Sequence, residues 1–166
     1  MTLSEEARTR LADIVELQPT KNGVLQERWD LDSGSEVHRY LESELKEYYY
    51  RDDNSLIRAT EDAASLVGVA PGVEAGEGEG ELIIRVDALE AGCFEVLAEP
   101  GGEPQSVVGV MNAVEARGTA VTSAEEVEEA LQALRRKDVV EVVYRTVPGF
   151  RRAVPGDAVD VEIRQD

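Results

Sequence analysis

The chain has one cysteine, Cys93, and one histidine, His38. A lone thiol excludes an internal disulfide. One histidine and one cysteine also exclude the usual zinc and iron sites unless carboxylates supply most ligands. Lysine is scarce: Lys21, Lys46 and Lys137 are the only three among 17 cations, the rest being arginine. No apolar run approaches a bilayer span, the longest being the interrupted stretch Ala63 to Pro71. The opening residues, Met1-Thr-Leu-Ser-Glu-Glu6, lack the basic start and apolar centre of a secretion signal. Phosphate-binding loops, nucleophile elbows and His-Glu zinc motifs are missing as well. Together these absences predict a cytoplasmic protein that is not an enzyme and uses no metal or other cofactor.

What is present is acid. The 166 residues carry 35 Asp and Glu against 17 Lys and Arg, a net charge of −18. Carboxylates in excess with few lysines suit a surface kept hydrated in molar salt, where like-charge repulsion is screened within a few ångströms; a halophilic source is expected. Such a charge opposes broad attraction to nucleic acid or anionic membrane, though a local basic face remains compatible with it. Hydrophobic residues make up 42%, enough to bury a core, and the length suits one ordinary domain or two small ones.

Hydrophobic spacing divides the chain. Leu3, Ala7, Leu11, Ile14 and Leu17 recur at three and four residues, predicting a first helix opened by Thr2 with Glu5 and closed by Pro19. A short second helix is expected from Gly23 to Trp29. Ser33 with Glu36 marks a third, over residues 34–46, with Val37, Leu41 and Leu45 on its buried stripe. The period then falls to two. Tyr48 to Arg51 and Leu56 to Thr60 read as strands around an Asp52–Ser55 turn, a hairpin over 48–60. Residues 71–81 alternate Gly and Glu with no apolar period, and residues 68–81 are expected to be an extended acidic linker. Beyond it, strands are predicted at Leu82–Leu89, Cys93–Ala98, Val107–Val114, Val139–Arg145 and Ala158–Arg164. One helix, Ala124–Arg136, is expected with Ser123 as its cap. The fold class is α+β: a helical N-terminal domain with a hairpin (1–67), a linker (68–81), and a compact α+β domain with one main helix on a small sheet (82–166).

The order helix, helix, turn, helix, hairpin, with Ser33-Gly-Ser-Glu-Val-His-Arg-Tyr-Leu-Glu-Ser-Glu-Leu45 at its centre, resembles the winged helix–turn–helix regulators of the multiple-antibiotic-resistance and arsenic-repressor families. The likeness covers residues 1–66. It implies a DNA-binding transcriptional regulator, working as a homodimer, with its third helix in the major groove and the hairpin as a wing. On that reading Ser35, His38, Arg39 and Ser43 face base edges, with Arg39 matched to guanine. Lys21, Arg51 and Arg58 would reach the DNA backbone. Glu36 and Glu42 depart from the family pattern, and residues 1–66 hold eight positive and fifteen negative side chains. The whole chain also resembles an uncharacterised haloarchaeal protein family.

A different class of function is implied by the second half. Gly118 to Leu134, followed by Asp138 to Arg145, resembles the back half of a protease-associated PDZ domain, which captures an extended peptide beside a strand. This reading makes the protein a non-enzymatic interaction adaptor whose N-terminal domain leaves DNA alone. A peptide or small-molecule effector at the C-terminal domain is compatible with either reading.

Overall fold

The computed structural model describes residues 3–164. The chain divides between Gly72 and Val73 into two units.

In the N-terminal unit, Ser4 opens α1 (Glu5–Leu17) by accepting the Ala7 N–H at 3.0 Å. Ser4 therefore fills the capping role expected of Thr2, which lies outside the described residues. Ala7, Leu11, Ile14 and Val15 form the buried stripe of α1. Helix α2 (Asn22–Arg28) follows, and Trp29 closes it with its ring in the core. Ser33 caps α3 (Gly34–Glu44) by accepting the Glu36 N–H at 3.3 Å. The Glu36 carboxylate accepts the Asp32 N–H at 2.8 Å, one residue before the position a reciprocal box requires. Strands β1 (Tyr49–Arg51) and β2 (Ile57–Ala59) pair antiparallel, with Tyr49 opposite Ala59.

Two contacts fasten this hairpin to the helices. Thr20 exchanges both backbone hydrogen bonds with Ile57, at 3.0 and 2.7 Å. The buried Gln18 side chain accepts the Ala59 N–H at 2.7 Å. A fourth helix, α4 (Glu61–Val67), was not anticipated. Thr60 caps it through the Ala63 N–H, and Gly68 ends it in the left-handed region at φ 67°. Ala63 packs with Leu11, Ile14, Leu25, Val37, Leu41, Leu45 and Ile57 in one core.

The C-terminal unit departs further from expectation. Strand β3 (Val73–Ala75) lies within the segment read as linker and pairs antiparallel with β4 (Leu82–Val86). The glycines and glutamates between them form the turn, closed by a Gly76 N–H to Glu81 carbonyl bond at 2.8 Å. Alternating Gly and Glu suits a turn as well as a tether, because glycine accepts the left-handed φ of 78° at Gly80.

Two expected strands are helices. Helix α5 (Ala88–Val96) replaces Cys93–Ala98, and α6 (Val107–Ala116) replaces Val107–Val114. Asp87 and Glu90 form a reciprocal capping box for α5, and Ser106 caps α6 through the Gly109 N–H. With α7 (Ala124–Arg136), three helices replace the single one expected. Ser123 caps α7 as foreseen, and Val127, Ala130, Leu131 and Leu134 are buried.

Strands β5 (Val140–Val143) and β6 (Gly149–Arg152) make a separate hairpin. Strand β7 (Val159–Ile163) runs parallel to β4, so the larger sheet has the order β3-β4-β7. Its core gathers Ile84, Val86, Phe94, Val110, Val114, Leu131 and Leu134 from the sheet and all three helices. No helix among the described residues is long and apolar enough to cross a membrane.

Candidate nucleic-acid interface

The outer face of α3 follows directly from its buried one. With Val37 and Leu41 turned inward, residues at intervening positions must face solvent, and Ser35, His38, Arg39, Glu42 and Ser43 are all exposed. They line an open groove of about 810 Å³ together with Asn22. The four residues expected at base edges thus stand on one surface.

Their bonding states differ. The Ser43 hydroxyl donates to the Tyr40 carbonyl at 3.3 Å, so part of its capacity is used within the helix. Ser35, His38 and Arg39 have no side-chain hydrogen bond or ion pair among the described residues. Glu42 is not simply a repelling charge. Burial, then the charge of Glu42 and a hydrogen bond to it, hold the Tyr49 phenol above its usual pKa, while Arg51 acts the other way.

Asn22 joins three elements. Its Oδ1 accepts from Arg51 at 3.0 Å, and its Nδ2 approaches the Gly34 carbonyl at 3.5 Å. The start of α2, the start of α3 and β1 therefore meet at one carboxamide. No residue pattern hints at this role, since an Asn at a helix start reads as ordinary capping. Arg51, expected at the DNA backbone, has only uncharged partners, Asn22 and the Ser55 carbonyl. Lys21 is exposed just before α2 and has no partner among the described residues.

Arg58 departs from its expected freedom. It is half-buried, and its Nε donates to Asp52 Oδ2 at 2.7 Å. Burial opposes ionisation of Asp52. Hydrogen bonds from Arg58, Leu56 and Asn54 outweigh that effect and hold the carboxyl below its usual range. Arg58 therefore neutralises the turn of its own hairpin.

Elsewhere in the unit, cations serve packing. Arg10 lies 4.4 Å over the Tyr40 ring and 5.1 Å over Trp29, and pairs with Glu6 at 3.4 Å. Arg28 reaches Asp13 and Glu16, and Trp29 donates to Asp13 at 2.9 Å.

The chain belongs to a family. Residues 3–164 match the family of unknown function DUF5797. No curated protein and no solved structure matches the chain.

Cys93 is fully buried in α5, and burial, with Asp87 and Glu90 adding, pushes its thiol up to about 12, far from a reactive thiolate. Among the described residues no group of three or more His, Cys, Asp or Glu is placed to hold a metal ion.

Proposed function

We propose that the N-terminal unit is a winged helix–turn–helix and that the chain is a DNA-binding transcriptional regulator of the cytoplasm, working as a homodimer. One observation carries this reading: Arg39 stands at the centre of the exposed face of α3, unpaired, in a chain so rich in carboxylates that an idle arginine is conspicuous. In the major groove its fork engages guanine O6 and N7, with Ser35 and His38 on either side. Arg51 and Lys21 supply phosphate contacts, and Arg58 keeps the hairpin turn in shape rather than touching DNA.

Support comes from what surrounds that face. The hairpin is bonded to the α1–α2 loop through Thr20 and to α1 through Gln18, so it projects from a fixed base as a wing requires. Glu36 is occupied at the Asp32 N–H, which engages one of the two carboxylates beside this face. Selection from random-sequence DNA in high potassium tests the proposal. An enriched motif whose binding weakens by about 1–3 kcal/mol in Arg39→Ala is expected. No enrichment, or enrichment unchanged by Arg39→Ala, removes the DNA reading.

A further inference from the structure

Strand β7 is the edge of the β3-β4-β7 sheet. It pairs with β4 on one side and, among the described residues, with no strand on the other. The Arg164 N–H donates to the Val86 carbonyl at 2.8 Å. In a parallel ladder the groups that bond a given neighbour alternate along the strand, so Asp160, Glu162 and Arg164 direct their backbone groups to β4. The N–H and C=O of Val161 and Ile163 consequently point away from the sheet.

The two sides of this edge differ in chemistry. On the helix side, a cavity of about 380 Å³ opens beside Val161 and Ile163, with Ala91 and Phe94 of α5 in its wall and Glu95, Glu99, Arg152 and Asp157 also lining it. Ile163 is left 52% exposed there. On the other side, a cavity of about 450 Å³ lies beside Asp160 and is lined by Glu77, Glu81 and Asp157, with no lysine or arginine. Asp157 borders both cavities. Neither Asp157 nor Asp160 has an ion pair among the described residues.

We propose that the open edge of β7 docks an extended segment of a partner protein in which apolar and basic residues alternate, added to the sheet as a further strand. Backbone bonds to Val161 and Ile163 supply the register. Successive side chains of an added strand fall on opposite faces, so apolar ones enter the cavity beside Phe94 and basic ones meet Asp160 and its neighbours. Charge selects against the other occupants. A second copy pairing antiparallel through β7 would set Asp160 and Glu162 against their own counterparts, and an acidic segment would meet the same repulsion.

The test uses the full chain with three fluorescent synthetic peptides: one alternating Val with Lys and Arg, one alternating Val with Glu, and one with the first composition in separate apolar and basic blocks. The alternating basic peptide is expected to bind at least about tenfold tighter than either control. It should also slow hydrogen exchange at Val161 and Ile163. Asp160→Lys, on the exposed face, is expected to weaken it about tenfold with the unfolding midpoint unchanged. Val161→Pro, which removes an outward N–H, should abolish the exchange protection. Equal binding of the block or acidic peptide, protection appearing elsewhere, self-association through β7, or indifference to Asp160→Lys would each overturn the proposal. If Val161→Pro unfolds the unit, the Asp160→Lys comparison still decides.

Discussion

In the C-terminal unit, Arg85, Arg117, Arg145, Arg151, Arg152 and Arg164 each stand within ion-pair distance of a glutamate. In the N-terminal unit Arg10 pairs with Glu6, Arg28 with Asp13 and Glu16, and Arg58 with Asp52, whereas Lys21, Arg39 and Lys46 have no partner among the described residues. Arg152 shows what the first use achieves. It pairs with Glu99, donates to the Phe94 and Glu95 carbonyls at the end of α5, and lies 4.9 Å over the Phe94 ring. That guanidinium joins β6 to α5 and satisfies carbonyls that the helix end would leave open. The contrast teaches that equal acidity does not mean equal use of the remaining positive charge. Among the described residues, the C-terminal unit pairs six of its cations and leaves Arg135, Arg136 and Lys137 without a carboxylate in ion-pair distance, whereas the N-terminal unit pairs three and leaves more of the rest facing solvent.

Substitutions can break this contrast. Arg152→Ala removes a partly buried, multiply bonded cation and is expected to destabilise the C-terminal unit by roughly 2–3 kcal/mol. Arg39→Ala should leave the urea midpoint where it is. Comparable losses from both would erase the distinction. In DNA binding the order reverses: Arg39→Ala should cost about 1–3 kcal/mol at the guanine it reads, seen as relaxed preference at one position of the selected motif. Arg152→Ala should cost nothing there once the folded fraction is accounted for.

The salt dependence sharpens the same comparison. With Lys21, Arg39, Lys46 and Arg51 unclaimed by carboxylates, the log–log slope of affinity against salt should be near −3 per protomer and no steeper than about −4, or twice that for the bound dimer. Removing Lys21 should flatten it by about one. Arg58→Ala, which takes a cation already neutralised by Asp52, should leave the slope unchanged.

A pH effect in the C-terminal unit concerns Lys137, buried at the end of α7. Burial, partly offset by Glu90, lowers its pKa to about 8. Between that value and its ordinary one, the unfolded chain binds the proton and the folded chain does not, so stability rises with pH across this window. Below it both states are protonated and the penalty is fully present. Urea midpoints of the C-terminal unit should therefore climb between about pH 8 and 10. Lys137→Met should flatten the climb. Glu90 bends the acid side: burial and Asp87 raise its pKa, so its own penalty eases as pH falls toward the carboxylate range.

Legibility in the sequence follows the same division. Helices α3 and α7 were readable because each pairs a serine cap with an apolar stripe of helical period, and α1 was readable from its stripe, its Ser4 cap having been missed. The exposed residues of α3 followed from that stripe, so their gathering on one groove was legible too. Helices α5 and α6 were misread because Val107, Val108, Val110 and Val114 are β-branched and favour strands locally. Burial among three helices overrode that preference, and the evidence lay in the caps Asp87 and Ser106. Strand β6 escaped notice because Arg151 and Arg152 look like surface polarity until Glu141 and Glu99 are opposite them. The pairing of Arg58 with Asp52 and the bridging of Asn22 were illegible for a simpler reason. Both depend on side-chain directions that spacing does not encode.

An isolated two-stranded ribbon is barely stable in water. The ribbon of β1 and β2 instead shares Ile57 and Ala59 with Thr20 and Gln18, whose own positions depend on α1. Fraying of this ribbon therefore requires disturbance of the helical body, so the two belong to one cooperative opening unit. Amide protons on Ile57 and Ala59 should exchange as slowly as those of the deepest turns of α1, and a protease that nicks exposed ribbons should find this one closed until the whole unit opens.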